Sequence, residues 1–128
     1  MSETRRARGA AARLAGRRAE LLAAAWLMAK GYRILALRLK TPSAEIDLVA
    51  QRGPVLAAIE VKTRTHLAGA LGAVSADQRR RLRRALQTFA AHRPGLKGAI
   101  LRLDLMALAP GRFPRHIPDA WSEDRPFP

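Results

Sequence analysis

The stretch that decides the fold is EIDLVAQRGPVLAAIEVK, residues 45–62. Both of its ends alternate charged with apolar residues, as half-buried strands do, and a Gly-Pro pair lies between them. The pattern therefore predicts two antiparallel strands joined by a turn. A hairpin centred between Gly53 and Pro54 would place Asp47 opposite Glu60 and Glu45 opposite Lys62. Pro is awkward at the second central position of a turn, so a longer loop with another register stays open. With either loop we expect the two carboxylates to lie side by side.

Working outward, the flanking sequence predicts an α/β domain built around this hairpin. A crossover helix after the third strand implies that the third and fourth strands are parallel. The expected architecture is a mixed β-sheet flanked by helices, in the order α-β-β-β-α-β. The predicted elements are a helix over 12–30, strands over 32–39, 45–50 and 55–65, a loop over 67–74, a helix from the N-cap Ser75 to about His92, and a strand over 99–108.

Each predicted helix carries apolar residues at spacings of three and four, which is typical of a helix with one buried face. We expect both faces to point into the core. They comprise Leu14, Leu21, Leu22, Ala25, Trp26 and Ala29 in the first helix, and Leu82, Ala85, Leu86, Phe89 and Ala90 in the second.

The length of 128 residues favours one domain with its own core. Residues 1–12 are rich in Arg and Ala and are predicted to be a flexible basic N-terminus. Residues 13–109 are predicted to form the single domain. Residues 110–128 are rich in Pro and are predicted to be an extended or mobile tail, or one pinned by Phe113 or Trp121.

The N-terminus imitates a secretory signal, because arginines precede an apolar run. Glu20 interrupts that run, however, and Lys30-Gly31 closes it. No stretch reaches the roughly 18–20 apolar residues that a membrane span needs. The sequence therefore predicts a cytoplasmic helix at this position.

Charge and cysteine content narrow the classes of function. The chain has no cysteine, which excludes a disulfide scaffold, a thiolate metal site and a cysteine nucleophile. Lys and Arg number 24 against 10 Asp and Glu, so the formal net charge is +14. Such a domain attracts polyanions. Nucleic acid is the first partner to expect, and an anionic membrane surface the second.

The paired carboxylates of the hairpin carry the chemical prediction. Two neighbouring carboxylates repel each other unless a proton or a cation lies between them, and Mg²⁺ or Mn²⁺ is the natural cation. Lys62 could then hold an attacking water, as in metal-assisted phosphodiester hydrolysis. The alternative is that Asp47 and Glu60 are ordinary exposed carboxylates, with Glu45 and Lys62 forming a surface ion pair worth roughly 0.2–1 kcal/mol.

Four segments resemble the YraN family of uncharacterised bacterial proteins, which is itself similar to the restriction-endonuclease-like nucleases with the PD-(D/E)XK motif, notably the archaeal Holliday-junction resolvases. The resemblance covers about residues 16–105. It implies a restriction-endonuclease-like fold, in which Asp47 and Glu60 bind Mg²⁺ and Lys62 is the catalytic lysine. The resolvase-like members have an additional Glu on the first helix, and Glu20 matches it. Without the resemblance, the position of Glu20 beside Arg17 and Arg18 indicates a solvated residue. The segments are GRRAE (16–20), GYRIL (31–35), EIDLVA (45–50) and IEVKTR (59–64).

The chain departs from the family pattern in two places. Ala44 stands where the family usually has Gly, and Asp77-Gln78-Arg79 stands where it usually has a Lys. Arg79 or Arg80 could replace the charge of that Lys but not its geometry. Gln78 is instead a candidate for a hydrogen bond near the site.

Basic residues surround the predicted site and favour contact with phosphates, although a charged helix face is most often only a solvated face. Aromatic residues make up only 5% of the chain, which disfavours a base-stacking surface for single strands. The candidate nucleic-acid-binding residues are Lys40, Arg64, Arg79, Arg80, Arg83 and Arg84.

Together these features predict a Mg²⁺-dependent endonuclease acting on structured or branched DNA, with RNA left open. One alternative is a nucleic-acid-binding module with little catalysis in a repair or recombination assembly. Another is a basic peripheral membrane protein, which the first helix disfavours because it lacks a basic polar face paired with bulky apolar anchors. We expect no membrane partner. Resolvases of this type cut as dimers, so a homodimer is a further expectation.

Overall fold

The computed structural model describes residues 2–124 and places five strands among three helices. The predicted α/β class, a mixed sheet flanked by helices in the order α-β-β-β-α-β, is confirmed. The helices are α1 (Ser2–Ala29), α2 (Leu67–Gly72) and α3 (Ala76–Ala91), and the strands are β1 (Arg33–Lys40), β2 (Glu45–Arg52), β3 (Val55–Thr63), β4 (Ile100–Leu108) and β5 (Arg115–Ile117); single 3-10 turns lie at Pro94–Leu96 and Ser122–Asp124.

The five strands form one sheet in the order β1-β2-β3-β4-β5. As predicted, β3 and β4 are parallel, while the other neighbours are antiparallel. Of the hairpin registers left open, the structure has the one centred between Gly53 and Pro54, since β2 and β3 pair from Leu48 opposite Ile59 to Arg52 opposite Val55. Gly53 has a φ of +57°, which a residue without a side chain adopts readily in so tight a turn.

The sheet separates two apolar clusters, one beneath α3 and one beneath α1. On the α3 side the prediction is confirmed, because Leu82, Ala85, Leu86, Phe89 and Ala90 are all buried. Ser75 caps α3 by accepting a hydrogen bond from the backbone N–H of Gln78, as predicted. This cap fixes where α3 begins, and so where Gln78 lies relative to the sheet.

The predicted core face of α1 is wrong except at Trp26, which is partly buried and packs against the cluster beneath α1. Ala23, Ala24 and Leu27 are the residues that pack on the sheet, whereas Leu14 and Leu21 are 49% and 59% exposed. Small alanines let the helix approach the strands closely, so the less hydrophobic face is the buried one. The helix also begins at Ser2, ten residues before the predicted start. Within residues 2–124, no helix is both long enough and apolar enough to cross a membrane.

Two segments that were predicted to be irregular contain regular structure. The predicted loop over 67–74 holds α2, which docks by burying Ala70. The predicted tail contributes β5, which pairs with the outer edge of β4. Trp121 is 4% exposed and packs in the core beneath α3, as expected of a residue that anchors the C-terminal segment. Pro126 and Pro128 lie outside the described residues.

A buried polar network attaches β5 to the sheet. The Asp104 carboxylate, fully buried on β4, accepts hydrogen bonds from the guanidinium of Arg102, the Nε2–H of His116 and the backbone N–H of Asp119. The His116 Nδ1 lies 2.7 Å from the Lys30 Nζ at the end of α1. A buried charge is tolerated only when its hydrogen bonds are made, so this network fixes the C-terminal segment in one place.

Candidate active site

The structure places Asp47 at the point where the β2–β3 ladder ends. The last backbone pair joins Leu48 and Ile59. Beyond it the Asp47 Oδ2 accepts a hydrogen bond of 2.8 Å from the backbone N–H of Val61, so a side chain takes the role that a strand carbonyl has in the ladder. This bond fixes the Asp47 carboxylate beside β3, next to the residue that precedes Val61.

That preceding residue, Glu60, is the buried acid of the site. Glu60 is only 4% exposed. Burial, the neighbouring charge of Asp47 and a hydrogen bond between the two carboxyl groups raise its pKa to about 8, against the opposing effect of Lys62. The predicted juxtaposition of the two acids is thus present, and at neutral pH without a cation a proton remains on the pair.

Lys62 and Gln78 hold the Glu60 carboxylate from two sides. The Lys62 Nζ lies 3.5 Å from the Glu60 Oε2, and the Gln78 Nε2–H donates a 3.0 Å hydrogen bond to the same oxygen. Lys62 comes from the same strand, whereas Gln78 comes from the first turn of α3. The hydrogen bond expected of Gln78 near the site is therefore present, and it ties α3 to the centre of the candidate site.

Glu20 reaches the same region from α1, where Arg38 binds it. The Arg38 Nε–H donates a 2.6 Å hydrogen bond to the Glu20 Oε1. That bond raises the pKa of Arg38, and the charges of Glu45 and Asp47 raise it further. Arg38 therefore binds the acid of α1 within electrostatic range of the acids of β2, although no motif in the sequence singles it out.

Arg38 also has a strained backbone. Its φ is +50° within β1, a value that costs a residue with a side chain roughly 1–2 kcal/mol. The register of β1 on β2 places Leu37 opposite Leu48 and Leu39 opposite Ile46, so Arg38 lies level with Asp47. The strained conformation thus belongs to the one residue of the strand whose guanidinium binds Glu20.

The donor set fits Mg²⁺. This ion takes oxygen ligands and is commonly held by one or two carboxylates while water completes its shell. Asp47 and Glu60 supply two carboxylates, and the proton they share is the positive charge that a cation would replace. Among residues 2–124, no three His, Asp or Glu side chains are grouped so that they could hold an ion. An ion here would therefore be bound by two carboxylates and water, with Glu20 held by Arg38.

The candidate nucleic-acid-binding residues divide into two groups. Arg79 and Arg83 are largely buried and bind Asp124 of the C-terminal segment, Arg79 through Nε at 2.6 Å and Nη2 at 3.1 Å. The hydrogen bond from Arg79, with help from Arg83, lowers the pKa of Asp124 to about 2. In this arrangement these two arginines stabilise the fold, and their guanidinium groups are engaged by a carboxylate.

The other four candidates, Lys40, Arg64, Arg80 and Arg84, are exposed. Arg64 lies two residues beyond Lys62 and lines a surface pocket with Arg112 and Arg115. Sequence reasoning missed those last two arginines because they belong to the segment predicted as a tail. In the sequence these two arginines stand on either side of Phe113 and Pro114, and no motif marks them.

Comparison with known proteins identifies relatives over most of the chain. The model of "Uncharacterised protein family UPF0102" matches residues 19–108. A UPF0102 protein of Caulobacter vibrioides (strain NA1000 / CB15N) is 65% identical over 91% of this chain and 94% of its own length. Another from Caulobacter sp. (strain K31) is 67% identical over 91% of this chain and 84% of its own. One from Paramagnetospirillum magneticum is 48% identical over 89% and 92%.

Proposed function

Because the chain belongs to the uncharacterised protein family UPF0102, whose description names no activity, we propose from the site itself that it is a Mg²⁺-dependent endonuclease that hydrolyses phosphodiester bonds of structured or branched DNA. Membership confirms the resemblance to the YraN proteins. The observation that carries the proposal is the buried Glu60 carboxyl, which lies against Asp47 on one side and 3.5 Å from the Lys62 Nζ on the other.

In this proposal Asp47 and Glu60 hold the ion. When bound, Mg²⁺ supplies Lewis-acid activation of the phosphodiester and a more acidic bound water. Glu60 must release its proton before it can act as a ligand, and Lys62 favours that ionisation by its charge. Gln78 holds the Glu60 carboxylate in one orientation through the hydrogen bond to Oε2.

Lys62 has a second role that follows from its position. A carboxylate has four lone-pair positions, and a Lys ammonium has three donors, so Nζ can contact Glu60 and still donate to a water or a phosphate oxygen. Negative charge grows on the phosphate as the attacking oxygen approaches, and a fixed ammonium lowers the energy of that state. Lys62 is therefore expected to act on the rate of cleavage and little on the affinity for DNA.

The substrate class rests on charge and on the resemblance. A net charge of +14 favours binding of a polyanion. Arg64 lies two residues beyond Lys62 on the chain, and it lines one surface pocket together with Arg112 and Arg115. Phosphate contacts of this kind position a backbone and carry no base sequence. Branched DNA is proposed because of the similarity to the Holliday-junction resolvases.

The test compares Lys62→Ala with Lys97→Ala, an exposed lysine outside the site. The substrates are linear, nicked, flapped and four-way DNA and an RNA duplex, each assayed with Mg²⁺, with Mn²⁺ and with EDTA. We expect wild type and Lys97→Ala to cut at least one DNA substrate only when metal is present. Lys62→Ala should cut at least about 100-fold more slowly, as when a donor to a transition-state oxyanion is removed, and should bind the same DNA with unchanged affinity.

Two results would count against the proposal. If Lys62→Ala cuts as fast as wild type, the chemistry is assigned to the wrong residue. If wild type binds four-way DNA but cuts nothing under any metal condition, the chain is a binding module instead. A double change, Arg80→Ala with Arg84→Ala, measures phosphate contact separately, since each lost contact lowers the salt slope of log affinity by about one unit.

A further inference from the structure

The outward face of α1 carries a regular apolar stripe that the fold leaves uncovered. Seven positions recur at alternating spacings of four and three residues, and every one of them is exposed. Leu21 and Met28 are 59% and 61% exposed, and what marks an interaction surface is that such side chains are aligned on one face, since single exposed apolar residues are common. The seven, which we call the α1 seam, are Ala7, Ala11, Leu14, Arg18, Leu21, Ala25 and Met28.

The spacing of the α1 seam indicates what kind of structure covers it. Alternation of four and three residues is the a/d pattern of a coiled coil, sustained here over three heptads. Large residues occupy one position of each heptad, at Leu14, Leu21 and Met28, and alanine or arginine occupies the other. Such a stripe is narrow, which suits a second helix lying along it and not a broad sheet.

The N-terminal half of α1 gains little from its own domain. A helix of 28 residues is about 42 Å long, and its buried contacts with the sheet begin near Ala19. From residue 4 to residue 15 only Gly9 is even half-buried. Helical segments of about 12–15 residues are marginal in water by themselves, so a partner along the seam would stabilise this half.

Charge indicates the chemistry of that partner. Arg18 lies in the α1 seam, Arg8 and Arg17 flank it, and α1 as a whole has six arginines and two glutamates. Pairing with a second copy in parallel would place Arg18 against Arg18, and any antiparallel pairing would align two helices that are both rich in arginine. Like charges therefore oppose self-association, and acidic side chains complement the seam.

We propose that the α1 seam is a docking surface for a helix of another protein, which presents leucine or similar side chains at heptad spacing and carries Asp or Glu beside them. This is helix-in-groove recognition, with Leu14, Leu21 and Met28 as anchors. A hollow next to the seam, between Leu21 and Leu37, receives one apolar side chain of the partner. The surface adjoins the candidate site, because Glu20 and Arg38 line the same hollow, but the proposal does not depend on the proposed nuclease activity.

The experiment uses two labelled synthetic peptides of 28 residues. Both have leucine at every a and d position; one has Glu at the flanking e and g positions, and the other has Lys there. Fluorescence anisotropy measures their binding to the full chain. We expect the Glu peptide to bind at least 20-fold more tightly than the Lys peptide, and high salt to weaken its binding.

Three variants separate this docking from general stickiness. Leu14→Asp with Leu21→Asp should reduce binding of the Glu peptide at least tenfold, while Ile100→Asp, at an apolar residue that is 58% exposed at the start of β4, should not. Arg17→Glu with Arg18→Glu should reverse the preference, so that the Lys peptide binds better. Circular dichroism and thermal unfolding confirm that each variant is folded.

Other outcomes would overturn the proposal. Equal binding of both peptides, or no reversal in the arginine variant, would show that the charges do not select the partner. A dimer seen by sedimentation equilibrium without peptide, and lost in Leu14→Asp with Leu21→Asp, would make a second copy the occupant. Co-sedimentation with vesicles of phosphatidylglycerol and phosphatidylcholine, lost in the same variant, would make the occupant a lipid surface.

Discussion

Glu60→Gln should change how the stability of the protein depends on pH. The folded pKa of Glu60 is raised to about 8, whereas its unfolded value is 4.5. The folded state therefore binds this proton more tightly than the unfolded state. The contribution of Glu60 to stability is complete below pH 4.5 and is lost as the pH rises through 8. The glutamine side chain of the variant does not titrate, so the substitution removes this pH dependence while keeping the size of the side chain.

The magnitude follows from the gap between the two pKa values. Each pH unit between them lowers the free energy of unfolding by about 1.4 kcal/mol, because the unfolded chain has lost a proton that the folded chain keeps. From pH 4.5 to pH 7 the wild type should therefore lose about 3 kcal/mol through Glu60 alone. This is a large share of the roughly 5–15 kcal/mol that stabilises a domain.

The assay is urea unfolding in EDTA at pH 5, 6, 7 and 8, followed by the fluorescence of Trp26 on α1 and the buried Trp121. The difference in free energy of unfolding between wild type and Glu60→Gln cancels the titration of groups that do not interact with Glu60, and what remains is the titration of the Asp47–Glu60 pair. We expect this difference to shift by about 2–3 kcal/mol in favour of the variant between pH 5 and pH 7. Glu123→Gln, at an exposed acid, is the matched control and should follow the wild type.

Addition of Mg²⁺ provides a second arm of the same experiment. The ion binds the ionised carboxylates, so it should stabilise the wild type most at pH 8 and should lower the pH at which Glu60 loses its proton. Glu60→Gln should gain much less from Mg²⁺. Parallel stability curves for wild type and Glu60→Gln in EDTA would refute the buried, proton-sharing carboxyl pair on which the metal site depends.

Two further substitutions test the surroundings of the site. Arg38→Gly should be about 1 kcal/mol more stable than Arg38→Ala in urea unfolding. Both variants lose the contact with Glu20, but only the alanine variant retains the cost of a φ of +50°. Equal stabilities of the two variants would contradict the strained backbone. Asp104→Asn should lower the free energy of unfolding by about 3 kcal/mol, since it leaves the guanidinium of Arg102 without its buried counter-charge, whereas Asp77→Asn on the surface should change it much less. If the two aspartate variants unfold at the same urea concentration, the buried network does not hold β5.

The sequence predicts the hairpin and the acid pair well because both depend on local rules. Strand alternation fixes which side chains share a face, and the short connection brings the two strands together, so the proximity of Asp47 and Glu60 could be predicted from spacing. Pro54 suits a two-residue turn poorly, so the register itself stayed open. What spacing could not supply is Arg38. Its contact with Glu20 depends on a single residue with positive φ within β1, and nothing in the residue types of that strand marks the position.

The first helix shows why an apolar stripe is an incomplete signal. The periodicity of apolar residues indicates that one face of α1 is suited to burial, but it does not indicate which surface covers that face. The domain core accepts Ala23, Ala24 and Leu27, where small side chains permit close contact with the strands, and leaves the Leu-rich stripe outside. A helix with two usable faces has to be assigned by tertiary contacts, which a single sequence does not contain.

The C-terminal segment shows how a count of charges overstates the surface available for phosphate. The run of arginines in α3 predicts a nucleic-acid-binding face, yet Asp124 engages Arg79 and Arg83, and Trp121 packs beside them in the core. The same segment brings Arg112 and Arg115 next to Arg64, near the strand that carries Lys62. Folding of the predicted tail thus removes two arginines from the basic surface and adds two others to it, beside Arg64. Net charge is unchanged by this exchange, so composition alone could not locate where a phosphate backbone would lie.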